Sequence, residues 1–183
     1  MFTLHVPNEI LIHCNKLIQK VNFGNRGVAD GNKFEQFTGI IGQCLTQHLF
    51  GVPLIDFKSK FDGGVDIIYE NIKIDVKTMG RTCEPRPNYV NNFIGLQKNY
   101  DVDVYIFCSL NKTNNNLTFC GWISKSDFFY KASLYKKDSL RQRTDGTSFK
   151  TKADLFEIEN FKLNQTKSID DLIAQLKNFK NNS

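Results

Sequence analysis

Gly64-Val65-Asp66-Ile67-Ile68-Tyr69-Glu70-Asn71-Ile72-Lys73-Ile74-Asp75-Val76-Lys77-Thr78 reads as a β-hairpin closed at Glu70-Asn71. A two-residue turn needs positive φ, and Asn tolerates it. Such a turn sets Tyr69 opposite Ile72, Ile68 opposite Lys73, Ile67 opposite Ile74 and Asp66 opposite Asp75. Paired residues share a face, and faces alternate along each strand. One face then carries Ile67, Tyr69, Ile72, Ile74 and Val76 and belongs against a core. The other carries Asp66, Ile68, Lys73, Asp75 and Lys77.

This register predicts two carboxylates ~4.5–5.5 Å apart at Cβ. Like charges so close destabilise a hairpin unless a cation or solvent separates them. Lys77 points to the same side. Two carboxylates and an ammonium suit a hard cation and a phosphate. Mg²⁺ takes oxygen ligands, keeps several waters and often binds through one or two carboxylates. It activates a water and stabilises charge building on phosphorus. The lysine can orient that water or offset the charge. Alternating charges on the outer face of a half-buried hairpin also arise with no site behind them.

Working outward, residues 8–21 place apolar side chains at 10, 11, 14, 17, 18 and 21, a helical stripe with Asn8 as N-cap. A second helix over 33–49 carries Phe34, Phe37, Ile41, Cys44, Leu45 and Leu49 along one side. Gly39 and Gly42 each weaken it by ~1 kcal/mol relative to Ala. Close packing on a sheet would account for both. After the hairpin come a short helix over 88–98, strands over 102–110 and 117–123 and a helix over 125–135 capped by Ser124. A polar, basic loop over 136–152, a strand over 155–158 and a helix over 169–179 capped by Ser168 complete the chain. The order predicts an α/β fold, a mixed sheet flanked by helices.

The hairpin resembles the PD-(D/E)XK nuclease superfamily. Val65-Asp66 stands where Pro-Asp would be, and Asp75-Val76-Lys77 supplies (Asp/Glu)-x-Lys. The Pro is absent, and the nine-residue step from Asp66 to Asp75 is short but suits a tight hairpin. The resemblance implies a restriction endonuclease-like fold over 1–183 as a single domain, with its core at about 33–123 and a closing strand and helix over 153–180. It implies metal ligation by Asp66, Asp75 and the carbonyl of Val76, with Lys77 as catalytic lysine. Thr38-Gly-Ile-Ile-Gly-Gln43 is similar to a Gly-x-x-Gly-Glu stretch whose glutamate binds metal. Gln43 takes that place here, and Glu35, about two turns earlier, is the other candidate. Gln97-Lys-Asn-Tyr100 is similar to a Gln-x-x-x-Tyr motif but one residue short.

The implied activity is Mg²⁺- or Mn²⁺-dependent hydrolysis of DNA by an endonuclease of restriction, repair or phage type. A Holliday junction resolvase-like enzyme, acting as a homodimer, is an alternative on the same fold. A nucleic-acid-binding domain with a decayed site is the other. Arg81 and Arg86, in the loop leaving the hairpin, are candidate DNA contacts, as are Arg141, Arg143 and Lys150 in the basic loop. Arg26, just before the second helix, is a further one.

The 183 residues suffice for one domain with a real core. Forty per cent hydrophobic and 13% aromatic residues, sixteen of them Phe, exclude a disordered chain. A net charge of +5 is compatible with a polyanionic partner. Five cysteines, at 14, 44, 83, 108 and 120, form no CxxC pair and predict reduced thiols, with Cys14, Cys44 and Cys108 in the core. His13 and His48 fall in helical patterns and read as structural. The opening residues lack a signal-peptide pattern, and no apolar run reaches the ~18–20 residues of a membrane span. A cytoplasmic protein is the expectation.

Overall fold

Glu70 and Asn71 adopt φ of +47° and +63°, the positive pair a two-residue hairpin turn requires. They do so in a computed structural model that describes residues 1–23, 31–56, 63–142 and 146–181. Its elements are β1 (Phe2–His5), α1 (Asn8–Lys20), α2 (Lys33–Leu49), β2 (Ile67–Tyr69), β3 (Ile72–Arg81), β4 (Val90–Ile94), β5 (Val104–Asn111), β6 (Asn116–Ser124) and α3 (Lys125–Lys131). Then follow β7 (Ser133–Tyr135), β8 (Leu140–Gln142), β9 (Ser148–Lys150), β10 (Leu155–Glu159) and α4 (Ile169–Asn181).

The main sheet has five strands in the order β1-β6-β5-β3-β2. β3 and β5 run parallel, while β2–β3, β5–β6 and β6–β1 are antiparallel. A second sheet, β4-β10-β7, and a small β8–β9 ribbon complete the strands. The core is split by the main sheet. On one side Ile72, Ile74, Val76, Ile106 and Cys108 pack against Ile10, Cys14 and Leu17 of α1, Ile41, Cys44 and Leu45 of α2, and Leu172 and Leu176 of α4. On the other, Tyr105, Phe107 and Ile123 meet Phe93 of β4, Phe128 of α3, and Phe156 and Ile158 of β10.

α2 starts in a reciprocal cap. Asn32 accepts the Glu35 N–H at 3.0 Å, and Glu35 accepts the Asn32 N–H at 2.8 Å. It ends before Gly51, whose φ of +66° no branched residue would adopt cheaply. The helix lies directly on β3: a Cβ at Gly42 would fall 1.9 Å from Thr78 Oγ1. Gly39 has nothing within 4 Å, so only one of the two glycines answers to close packing.

Several expectations need correction. Phe34, placed on the buried stripe, is 82% exposed. Pro7, not Asn8, occupies the cap position of α1, and no side chain caps it. The segment expected to be a helix over 88–98 is β4 followed by a single tight turn at Gly95–Gln97. Apolar residues at 90, 93 and 94 mimic helical spacing, but pairing with β10 decides the conformation. Residues 125–135 are helical only to Lys131 and continue as β7. β1 was not anticipated, and the loop over 136–152 contains β8 and β9.

Candidate active site

β3 carries the candidate residues Asp75 and Lys77, and its two faces meet different layers. Ile72, Ile74 and Val76 go to the helical side. Asp75 and Lys77 therefore project towards the second sheet, between Tyr105, Phe107 and Phe93. The turn fixes the register as far as Ile67 opposite Ile74, as the sequence predicts. There the ladder ends. The Asp66 N–H donates to the Ile74 carbonyl at 2.9 Å, although Ile74 is already paired with Ile67. Asp66 thus does not continue the ladder to stand opposite Asp75. Its carboxylate reaches on to accept the Val76 N–H at 2.7 Å. A buried backbone donor needs a partner, and Asp66 supplies the one that β2 does not. The Val76 group that meets Asp66 is its N–H.

Asp75 is 1% exposed. Its Oδ1 pairs with Lys77 Nζ at 2.6 Å. Its Oδ2 is buried with no hydrogen-bond partner among the described residues. Lys77 also lies over the Phe93 ring, 5.6 Å from the centroid. Tyr105 faces Asp75 in the parallel ladder, and burial, with the Asp75 charge adding to it, pushes its phenol up. The expected outward face is thus a covered one beyond Lys73. The alternation in the hairpin could not show this, because the cover comes from β4 and β10, far along the chain. Asp66 and Lys77 are half-buried.

The helix candidates are placed by α2, which runs antiparallel to β3. Thr38 lies by Gly80, Gly42 by Thr78, and Gln47 by Asp66. Glu35, a turn before Thr38, falls beyond the Gly80 end, where it is exposed and caps its own helix. It is not brought to the hairpin carboxylates. Gln43 is buried next to Gly42. The helix residue that touches Asp66 is Gln47, which donates to the Asp66 carbonyl at 3.1 Å and accepts the Ile55 N–H at 3.0 Å. It lies one turn beyond Gln43, a signal that spacing alone offered but the motif drew away from. Among the described residues, no three or more His, Cys, Asp or Glu side chains gather where they could hold a metal ion. The donor on the covered face is the Asp75 carboxylate, while Asp66 is held at the edge by the Val76 N–H and Gln47. The orphaned Asp75 oxygen fits a single hard cation that fills its remaining positions with water.

The expected DNA contacts divide. Arg81 donates to the Val90 carbonyl at 2.7 Å and lies 4.8 Å from the Tyr89 ring centroid, so it ties the loop to β4. Arg141 pairs with Glu157 at 2.6 Å and stacks 3.6 Å from the Tyr135 centroid. Both are engaged internally because each finds a partner on the second sheet or its approach. Arg86 and Lys150 are exposed. Arg143 and Arg26 lie outside the described residues. Gln97 is buried and Tyr100 sits over Gly64, so that pair is built into the support of the hairpin. His13 bonds to the Ile55 carbonyl at 2.8 Å, a structural role as expected.

The architecture is that of a mixed α/β protein, with four α-helices among the described residues, a five-stranded mixed sheet and smaller sheets. Among the described residues, no helix is long and apolar enough to cross a membrane. No protein-family model, curated protein or solved structure matches the chain.

Proposed function

We propose that the chain is a metal-dependent nuclease of restriction endonuclease-like fold that hydrolyses DNA phosphodiesters in the presence of Mg²⁺ or Mn²⁺. The observation that carries this reading is Asp75: a buried carboxylate with one oxygen on Lys77 and the other unpartnered among the described residues. A structural ion pair would be expected to satisfy both oxygens. Asp75 Oδ2 and the Asp66 carboxylate would hold the cation. Bound there, it supplies Lewis acidity and an activated water. Lys77 holds Asp75 in orientation and places a positive charge beside the scissile phosphate. Arg86 and Lys150, exposed and basic, are available to the DNA backbone.

The test is cleavage of plasmid and linear DNA with Mg²⁺, Mn²⁺ or EDTA. The wild type is expected to cleave with either ion and not with EDTA. Asp75→Ala and Lys77→Ala should each lose at least about 100-fold in rate, within the range seen for such groups. Full activity in either variant would sink the assignment.

The near-complete burial of Asp75 and the amide at Gln43 favour a second reading, a DNA-binding domain without cleavage. It predicts DNA binding with no Mn²⁺ uptake by calorimetry. A junction resolvase on this fold would instead be a dimer that prefers branched DNA.

A further inference from the structure

Asp75 Oδ2 is not the lone unsatisfied atom on its face. Tyr105 is its neighbour in the β3–β5 ladder, and paired residues of a parallel ladder point to the same side. The Tyr105 hydroxyl is also buried without a hydrogen-bond partner among the described residues. Its ring is held edge-on by Phe93 at 5.0 Å and Phe128 at 5.2 Å between centroids, with Phe107 and Phe129 further round. All these partners are phenylalanines. A phenylalanine at 105 would fill the same place without burying a hydroxyl, which is unfavourable when unmatched. A donor and an acceptor on adjacent strands, neither hydrogen-bonded among the described residues, share the same unmet need. One water between them would meet both needs, beside the Lys77 ammonium that pairs with the other Asp75 oxygen.

We propose that Tyr105 is a positioning residue for Asp75, acting through one buried water between its phenol and Asp75 Oδ2. Lys77 fixes one oxygen of the carboxylate and the water fixes the other, so the group cannot rotate. Oδ2 keeps a second lone pair for a cation. The catalytic part of this assignment rests on the nuclease reading. The water itself does not.

Crystal structures of the wild type and Tyr105→Phe decide it, together with their cleavage kinetics. The wild type should show a water within ~2.5–3.2 Å of both atoms. Tyr105→Phe should lose it, with the Asp75 carboxylate turned from its wild-type torsion. Its kcat should fall about 10–100-fold with KM unchanged, the scale on which supporting residues act. No such water in the wild type overturns the proposal. So does a Tyr105→Phe variant with the carboxylate unmoved and kcat within twofold of wild type. If the wild type cleaves nothing, the nuclease reading fails, and the two crystal structures alone judge Tyr105.

Discussion

Asp66 carries two demands at once. Its carboxylate is a candidate cation ligand, and it also accepts the Val76 N–H where β2 has already left the ladder. The two demands separate by substitution. Asp66→Ala strands the N–H and should lower stability by about 1–3 kcal/mol in urea unfolding. Asp66→Asn keeps an acceptor and should lose about 1 kcal/mol, while divalent-ion affinity falls in both. Equal stability losses in the two variants would show that the Val76 bond is not what Asp66 contributes. At this scale the turn, the apolar face and the pairing of residues 67–69 with 72–74 are legible in the letters. The departure at Asp66 is not, because a turn fixes register only while both strands keep the same step. Nor is the burial of Asp75, which depends on aromatic rings from β4, β10 and α3.

α2 shows what a helix reveals of itself. Its bounds follow from local sequence, and Ile41, Cys44 and Leu45 of the expected stripe are buried, but Phe34 is exposed and the Asn32–Glu35 cap that closes its start was not anticipated. What it packs against does not follow. Gly42→Ala would drive a methyl into Thr78 and should cost about 1–3 kcal/mol as α2 is pushed off β3. Gly39→Ala meets open space and should gain up to about 1 kcal/mol from helix propensity. Thermal melts of the pair test this, and equal shifts of the same sign would refute the close contact. β4 is the converse case. Val90, Phe93 and Ile94 carry a helical spacing, and the strand forms only because β10 offers a ladder from Leu155 to Glu159. A local pattern loses there to a distant partner.

The whole molecule is a sandwich of unequal fillings. Helices α1, α2 and α4 cover one side of the main sheet, and the small sheet with α3 covers the other. Four of the five thiols are sealed in these layers, and Cys83 alone is exposed. Cys14, Cys44 and Cys108 are buried as composition suggests, and Cys120 joins them on the aromatic side. A hydrogen bond to Cys14 and burial push the Cys44 thiol up, and burial pushes Cys120 up to about 12. A disulfide reagent should therefore titrate one thiol rapidly in the native protein and five after denaturation. Two or more fast thiols would mean the layers are looser than described.

β1 lies against β6, with Phe2 beside Phe119 and Thr3 bonded to Thr118 across 115 positions of chain. During synthesis on the ribosome this strand emerges before β6 and lacks that strand partner until the segment around Phe119 has left the exit tunnel. For that interval Phe2 and Leu4 are open to chaperones. That edge of the sheet closes only through a long-range pairing, and the contacts of β10 and α4 follow later still.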